Sequence, residues 1–247
     1  MIVPKAPEVI AHLGSFVLTN TIFTSTVISI FIIIVIIVAS KKFKEIPGRF
    51  QNFIEYIIDF TRTTILEQTQ GDKERLNIFF PWVTGLFIFI LINNIEEIFP
   101  FLGFVPLTIR NAGNTVPLFR SPSSDLNSTI ALTLISVIAT QYFAFQRLGA
   151  KEHLKRYFNF TKPINIFSGL FEIISEFTKV ISLSFRLYGN IYAGDIILLL
   201  FIKTGGQYFL PLPFLAFEIV VDIVQAAIFA MLTLSFMAIE TDIHEEF

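Results

Sequence analysis

The 247-residue sequence contains no cysteine, only three histidines and a single tryptophan. The absence of cysteine excludes disulfides, thiolate metal ligands and thiol nucleophiles. The histidines, His12, His153 and His244, are too far apart along the chain to indicate a zinc site. We therefore expect no metal and no cofactor, and any chemistry must come from carboxylate, arginine, lysine and amide side chains.

Charged residues are also scarce, at 15% of the chain, whereas 53% of the residues are hydrophobic and 30 are phenylalanine. The mean hydropathy of +0.69 is far above that of an ordinary soluble domain. A net charge of −2 and the lack of any nucleic-acid-binding motif give no reason to expect a nucleic-acid partner. A spanning helix needs about 20 apolar residues, so the chain has room for about five or six spans. These numbers predict an all-α integral membrane protein and exclude a large soluble catalytic domain.

The apolar runs predict a single membrane domain over residues 1–247. An outer N-terminal segment, 1–21, precedes span 1 at 22–40. The lysines that follow this span lie on the wrong side of it for a cleaved signal sequence. Residues 48–68 place apolar side chains at i, i+3, i+4, i+7 and i+8, which predicts an interfacial amphipathic helix. The apolar positions are Phe50, Phe53, Ile54, Ile57 and Ile58.

The rest of the chain alternates spans and loops. Span 2 is predicted at 78–99, an outer loop at 100–127, span 3 at 129–146 and an inner basic loop at 147–163. Two long helices follow, at 164–203 and 212–243. Forty helical residues measure roughly 60 Å, twice the hydrocarbon thickness of ~30 Å, so the first of them must be steeply tilted. We expect the two to form a long, tilted, antiparallel pair.

The distribution of basic residues predicts the orientation. Of the 18 Lys and Arg residues, 12 fall in the segments that follow the first and third spans. The positive-inside rule then places the N-terminus outside and the C-terminus inside, with five crossings. The acidic tail that begins at Glu240 does not oppose this, because acidic residues count little in that rule.

The first long helix carries five ionisable residues at membrane depth, where each costs several kcal/mol unless it faces a partner or a cavity. They are Glu172, Glu176, Lys179, Arg186 and Asp195. At 100° per residue, Lys179, Ser182, Asn190 and Glu172 fall on the side of Arg186, whereas Asp195 lies on the opposite side. Arg186 has no acidic residue three or four positions away, which favours a partner in another helix or another chain.

The last helix places Glu218, Asp222 and Gln225 at i, i+4 and i+7, and so on one face. In an antiparallel pair, Gln225 comes level with Arg186 and Glu218 comes level with Asp195. The spacing predicts an acidic, water-accessible pocket on the outer side and a central arginine with a neutral amide beside it.

Some of these residues have a simpler structural interpretation. An ion pair explains Glu172 and Lys179 as well as a conduction role does, and a structural hydrogen bond explains Asp222 better than transport does. We expect four polar residues at the outer end of span 2 to be exposed among lipid headgroups. They are Asn93, Asn94, Glu96 and Glu97.

The segment from Ser182 to Asp195 resembles the signature of subunit a of F-type ATP synthases, with Arg, Asn at +4 and an ionisable residue at +9. Glu218 and the run that begins at Gln225 are similar to the family's second signature. Asp195 departs from the family, whose bacterial members usually have Glu there and whose mitochondrial members have His. Weaker matches are Asn20, Phe80-Pro81, Asn94 and Ser124-Asp125-Leu126-Asn127.

The resemblance implies a non-catalytic stator subunit that couples transmembrane proton flow to rotation of the c-ring through two offset half-channels and an essential Arg186. The implied partners are the c-ring proteolipids, peripheral-stalk b subunits and the lipid bilayer. The implied location is the bacterial inner membrane or, alternatively, the mitochondrial inner membrane. The proton-translocation residues would be Arg186, Asn190, Asp195, Glu218, Gln225, Glu172, Lys179, Ser182 and Asp222.

Two other classes compete with this interpretation. A secondary transporter or ion channel could use the intramembrane acids as its own ion site, although such folds usually show inverted repeats and broken helices, which this sequence lacks. An intramembrane hydrolase would need a cysteine, a histidine within a span, a zinc set or a GxSxG-type elbow, and this sequence has none of them.

Overall fold

The structure is a computed structural model that describes residues 7–13, 16–41, 43–44, 47–98, 108–111, 114–117, 120–157, 163–203 and 211–242. Seven α-helices lie within these ranges. They are α1 (Asn20–Ser40), α2 (Arg49–Gln68), α3 (Lys73–Ile98), α4 (Leu126–Leu148), α5 (Ala150–Tyr157), α6 (Pro163–Lys203) and α7 (Pro211–Glu240).

Two short antiparallel hairpins accompany the helices. β1 (Val9–Leu13) pairs with β2 (Phe16–Thr19), and β3 (Thr108–Asn111) pairs with β4 (Asn114–Pro117). They lie in the predicted N-terminal segment and in the predicted outer loop. The all-α membrane fold is confirmed, and the hairpins are small additions to it.

Four helices are long and apolar enough to cross a membrane: α1, α3, α4 and α7. In α1 the side chain of Thr19 caps the first turn by accepting from the backbone N–H of Ile22 at 3.4 Å. Most of the apolar surface of α1 is exposed, as expected for a helix in contact with lipid. The long helix α6 is not among the four, so the fifth crossing stays a prediction.

Several boundaries differ from those expected. α3 begins at Lys73, before the predicted start at 78, because Asp72 accepts hydrogen bonds from the backbone N–H groups of its first turn, and Pro81 is accommodated inside the helix. The predicted outer loop ends in a 3₁₀ turn, Pro122–Ser124, and Asp125 then caps α4 by accepting from the backbone N–H of Asn127 at 3.0 Å. The predicted inner loop contains α5, which is separated from α4 by Gly149 at a φ of +79° that other residues rarely adopt.

The amphipathic pattern of residues 48–68 forms α2. One side of this helix buries Thr61, Thr64 and Ile65. Ile65 packs into a hydrophobic cluster with residues of α3 and α7, namely Leu76, Phe79, Val83, Ala230, Leu234 and Met237. The other side exposes Phe53 and Tyr56. An interfacial position for α2 stays a prediction.

A second hydrophobic cluster joins the long helices to the rest of the protein. Leu183 and Leu187 of α6 pack against Ile90 of α3 and against Ala226 and Phe229 of α7. All five side chains are buried. This cluster fixes the rotation of α6 about its axis and therefore determines which of its polar residues point away from the protein.

A network of ion pairs ties the ends of α3, α4 and α7 together. Asp72 accepts from the backbone N–H groups of Glu74 and Arg75 at 2.9 and 3.2 Å, and it pairs with the Arg147 side chain at 2.8 Å. Arg75 pairs in turn with Asp242 at 2.6 Å. Burial raises the pKa of Asp72, but the bonds from Arg147 and from the two backbone N–H groups lower it more, so the pKa lies below the ordinary 3.8.

Replacing Asp72 with asparagine should lower the midpoint of thermal unfolding of the purified protein at pH 7. A carboxylate with a lowered pKa in the folded state contributes stability above its unfolded pKa, and this stability is lost as the pH falls through the folded pKa. The difference between wild type and variant should therefore shrink below about pH 4. Asp59→Asn, on the exposed side of α2, is the matched control, and equal effects of both variants would contradict the prediction.

Candidate functional site

The two long helices run antiparallel, as predicted. Lys179 of α6 pairs with Glu240 of α7 at 2.9 Å. Further along, Gly194 of α6 lies against the carboxyl group of Glu218, with that carboxyl carbon 3.1 Å from where a Cβ would stand. Residue numbers thus rise along α6 as they fall along α7, and the polar residues of the two helices face each other.

Arg186 is exposed at the edge of an open apolar side of α6. We call this side the open face; its side chains are Phe167, Phe171, Ile174, Phe177, Ile181 and Phe185, each at least half exposed. Ser182 is exposed next to Arg186, one turn away. Across the part of the chain that the structure describes, Arg186 has no ion pair or hydrogen bond. The open face therefore has an exposed positive charge at its edge.

Three carboxyl groups gather between the C-terminal half of α6 and the N-terminal half of α7. Glu218 interacts electrostatically with Asp195, and Asp222 interacts with both. Asp222 is 1% exposed, and its Oδ1 atom is buried without a hydrogen-bond partner among the described residues. The structure brings Asp195 and Glu218 together as the spacing predicts. It adds Asp222 to this acidic group, where we had expected a structural hydrogen bond.

Gln225 and Asn190 lie near the level of Arg186. Gln225 is buried, and its Nε2 atom has no hydrogen-bond partner within the described segments. Asn190, one turn after Arg186, is half-buried. The amide N–H group of Gln225 can therefore orient water or a neighbouring polar group.

A second charged group lies near the other end of the helix pair. Lys179 bonds to Glu176 at 2.6 Å and to Glu240 at 2.9 Å, and its ammonium lies 4.9 Å from the centre of the Phe236 ring. Glu172 brings a third carboxylate within 4.8 Å of those of Glu176 and Glu240. Three close carboxylates could hold a metal ion, but the Lys179 ammonium already supplies their cation.

Glu240 was missed by the sequence analysis, which assigned it to the acidic tail. It is 1% exposed, and it joins the last turn of α7 to α6 through Lys179. A buried carboxylate is costly unless it is paired, so this contact supports the structural interpretation of Lys179. In the sequence, the burial of Glu240 was indicated only by its position three residues after Met237, which places both residues on the same side of the helix.

Three of the four polar residues at the C-terminal end of α3 are buried, so the expectation that these three are exposed among lipid headgroups was wrong. Asn93, Asn94 and Glu96 are 2%, 0% and 6% exposed. Asn94 accepts a hydrogen bond from Ser123 at 2.8 Å, and the Asn93 carbonyl accepts one from Ser121 at 3.3 Å. The reason is the 3₁₀ turn before α4, which packs onto this end of α3. The side chain of Glu97 lies outside the described residues.

A cavity of about 250 Å³ adjoins these residues between α1, α3 and α4. Its polar lining includes Ser25, Asn93, Ser123 and Thr129, and Leu187 of α6 closes one side. The cavity therefore lies between the polar end of α3 and the buried side of α6 at Leu187. In the sequence, this polar region was indicated by Asn93, Asn94 and Glu96, which fall within one turn at the end of a span.

Two of the residues that gave the weaker family matches, Asn20 and Asp125, form contacts at the starts of α1 and α4. The Asn20 side chain accepts from the backbone N–H of Glu8 at 3.1 Å, and Thr21 donates to Asp125 at 3.3 Å. The side chains of Asn20, Thr21 and Asp125 are buried. These contacts join the start of α1 to the start of α4.

Replacing Gly194 with alanine should disturb the acidic group without removing a charge. A Cβ at this position would collide with Oε1 of Glu218, so the carboxyl group must shift from its present position. We expect reduced ion transport in membranes that contain normal amounts of the protein. Gly85→Ala in α3 is the control, because a Cβ there meets nothing within 4 Å. Unchanged transport in Gly194→Ala would show that the position of Glu218 is unimportant.

The fold and the site together define a polytopic helical membrane protein with paired long helices that hold ionisable groups at two levels. A sequence model of the family described as ATP synthase A chain matches residues 21–238. This chain belongs to that family, which confirms the resemblance noted in the sequence.

Individual relatives agree with the family match. The chain is 30% identical over 234 residues to ATP synthase subunit a of Coxiella burnetii, covering 91% of this chain and 85% of the relative. It is 31% identical over 237 residues to that of Buchnera aphidicola, covering 90% and 84%. With that of Staphylococcus epidermidis it shares 32% over 219 residues, covering 85% of each chain.

Proposed function

We propose that this chain is the stator subunit of a rotary F-type ATP synthase in a bacterial inner membrane, where it couples ion flow to rotation of the c-ring. It is a non-catalytic subunit, and peripheral-stalk b subunits hold it in place. The observation that carries the proposal is Arg186 at the edge of the open face, next to a helix partner that bears the acidic group. The bacterial relatives support the location.

Arg186 acts on a carboxylate carried by the rotor. Its guanidinium stays protonated even where water is excluded, whereas a lysine in the same place would lose its proton more readily. A fixed positive charge stabilises the ionised form of an approaching carboxylate and so releases its proton. The exposed apolar side chains of the open face provide the lipid-free contact along which the ring turns.

Two aqueous half-channels reach this position from opposite sides. The outer one runs through Asp195, Glu218 and Asp222, which can pass a proton from one carboxyl group to the next. The buried polar residues at the end of α3 and the adjoining cavity extend it toward the outer surface. The inner one follows Ser182 past the group formed by Glu172, Glu176, Lys179 and Glu240.

Arg186 also separates the two half-channels. A stationary cation repels a proton that would otherwise cross directly between them. One elementary charge that crosses 100 mV is worth about 2.3 kcal/mol, and a direct leak would dissipate that energy without rotation. Gln225 supports this separation as a neutral amide that can orient the guanidinium or a water molecule.

Co-purification tests the assignment. The tagged chain, extracted in mild detergent, should carry with it a ring of small proteolipids and a stalk subunit, and only the assembled complex should pump ions on ATP addition. A secondary transporter or channel would instead move ions when the chain is reconstituted alone. Transport by the isolated chain, without proteolipids, would overturn the proposal.

A further inference from the structure

A deep groove separates the end of α1 from the start of α2, and its walls combine apolar side chains with two lysines. Its volume is about 900 Å³, comparable to that of a pocket for a sizeable small molecule. It is lined by Ile34, Val35, Val38, Ala39, Lys41, Phe43, Lys44, Gly48 and Gln51. None of these residues belongs to the site described above.

The apolar wall of the groove runs along the last turns of α1. Ile34 and Val38, one turn apart, are 53% and 46% exposed, and Phe43 below them is 46% exposed. Because α1 is one of the helices able to span the membrane, this wall lies beside hydrocarbon. An extended acyl chain can cover these side chains along the helix axis.

The mouth of the groove is basic. Lys41 and Lys44 are exposed, and within the described segments neither forms an ion pair. Their ammonium groups can reach a common anion at the end of the apolar wall. A phosphate group is the anion found at this depth, where spanning helices end and headgroups begin.

The side chain of Gln51 fixes the backbone at the mouth of the groove. Its Oε1 atom accepts from the backbone N–H of Lys44 at 3.1 Å, and its Nε2 atom donates to the Lys44 carbonyl at 2.9 Å. Nε2 also donates to Glu55 at 2.8 Å. The backbone of Lys44 is therefore attached to α2 by two bonds, which fixes the position of this lysine relative to the groove.

The exposed side of α2 indicates, independently of the lysines, at what depth in the membrane the groove lies. Phe53, Tyr56 and Phe60 follow one another at intervals of three and four residues and are 62%, 70% and 53% exposed. An exposed aromatic face with a tyrosine is typical of helices at the boundary between headgroups and hydrocarbon. The groove therefore opens at the boundary between headgroups and hydrocarbon, where a lipid can place its headgroup and its acyl chains on the two sides.

We propose that this groove binds an anionic phospholipid, with an acyl chain along Ile34 and Val38 and the headgroup phosphate between Lys41 and Lys44. The combination of an apolar wall and a basic mouth selects this occupant over a zwitterionic lipid, whose positive group would face the lysines. The inference does not depend on the role assigned to Arg186.

Photolabelling of the assembled complex tests the site. The complex is reconstituted with a phosphatidylglycerol that carries a photoreactive acyl chain, and adducts are located by mass spectrometry. Residues 34–43 should be labelled, and unlabelled phosphatidylglycerol should reduce this labelling at least fivefold more effectively than phosphatidylcholine. The exposed residues Ile135 and Ile138 of α4 provide the reference for ordinary lipid contact and should show no such preference.

Two variants separate the contributions of charge and shape. Lys41→Gln combined with Lys44→Gln should lower labelling of residues 34–43 at least fivefold. Lys73→Gln combined with Lys151→Gln, which removes the same charge from exposed positions elsewhere, should not. Val38→Trp should lower labelling while both lysines remain, because it fills the apolar wall.

Three results would overturn the proposal. They are equal competition by phosphatidylcholine, equal effects of the two lysine pairs, and labelling of residues 34–43 no stronger than that of Ile135 and Ile138. The last of these would show that the groove holds lipid no more tightly than an ordinary lipid-exposed surface does.

Discussion

Arg186→Ala should reduce ATP-driven ion pumping by the assembled complex to background, while the chain still inserts and assembles. The side chain is exposed at the edge of the open face, and the hydrophobic contacts of α6 are made by Leu183 and Leu187 on the buried side. Its removal therefore leaves the packing intact and eliminates a positive charge at the rotor contact. The measurement is proton uptake by inverted vesicles, normalised to the amount of assembled complex.

Two further variants define what the guanidinium contributes. Arg186→Lys should restore little activity, because a lysine loses its proton where water is excluded. Arg62→Ala on α2 removes an equal charge from an exposed position away from the long helices and should pump normally. Near-normal pumping by assembled Arg186→Ala complexes would refute the role given to this residue.

Glu218→Gln should have the second largest effect and should slow ion uptake from the outer side. Glu218 lies over Gly194 and interacts with Asp195 and Asp222, so it occupies the centre of the acidic group. We expect a loss of about 100-fold, the lower range for a positioned proton-transfer group. Asp195→Asn should cost less, roughly 10-fold, because its shorter side chain is set back and Asp222 stays beside Glu218.

The control for Glu218→Gln is Glu67→Gln, which neutralises an exposed acid on α2. Coupled transport should be measured as a function of outer pH in all three variants. If the rate and its dependence on outer pH are the same in Glu218→Gln as in the control, the outer half-channel must follow a different route.

The helices were predictable because a long apolar run in a membrane must satisfy its backbone hydrogen bonds internally, and a helix does so. The hairpins were not predicted, because their strands are only four or five residues long and carry no strict alternation. Their turn signals, Gly14-Ser15 and Ala112-Gly113, are present in the sequence. Such short signals occur in many loops that form no strand.

The meeting of Asp195 with Glu218 was predictable because helical periodicity fixes the face of each residue and the short connection between the helices fixes their direction. Burial of Asn94 and Glu240 was not, since it depends on partners far away in the sequence. Asn94 accepts a hydrogen bond from Ser123, and Glu240 forms an ion pair with Lys179. Local pattern cannot show that a polar residue at the end of a helix will find such a partner.

The most direct test of the account is a crosslinking experiment on the open face. The natural chain has no cysteine, so a single cysteine at Phe185, which is 54% exposed, can carry a benzophenone group in the assembled complex. Illumination should join this chain to a ring proteolipid. The same group at Ile138 on α4, 65% exposed, should not be joined to it. Crosslinks to the proteolipid from Ile138 but not from Phe185 would contradict the claim that Arg186 faces the rotor.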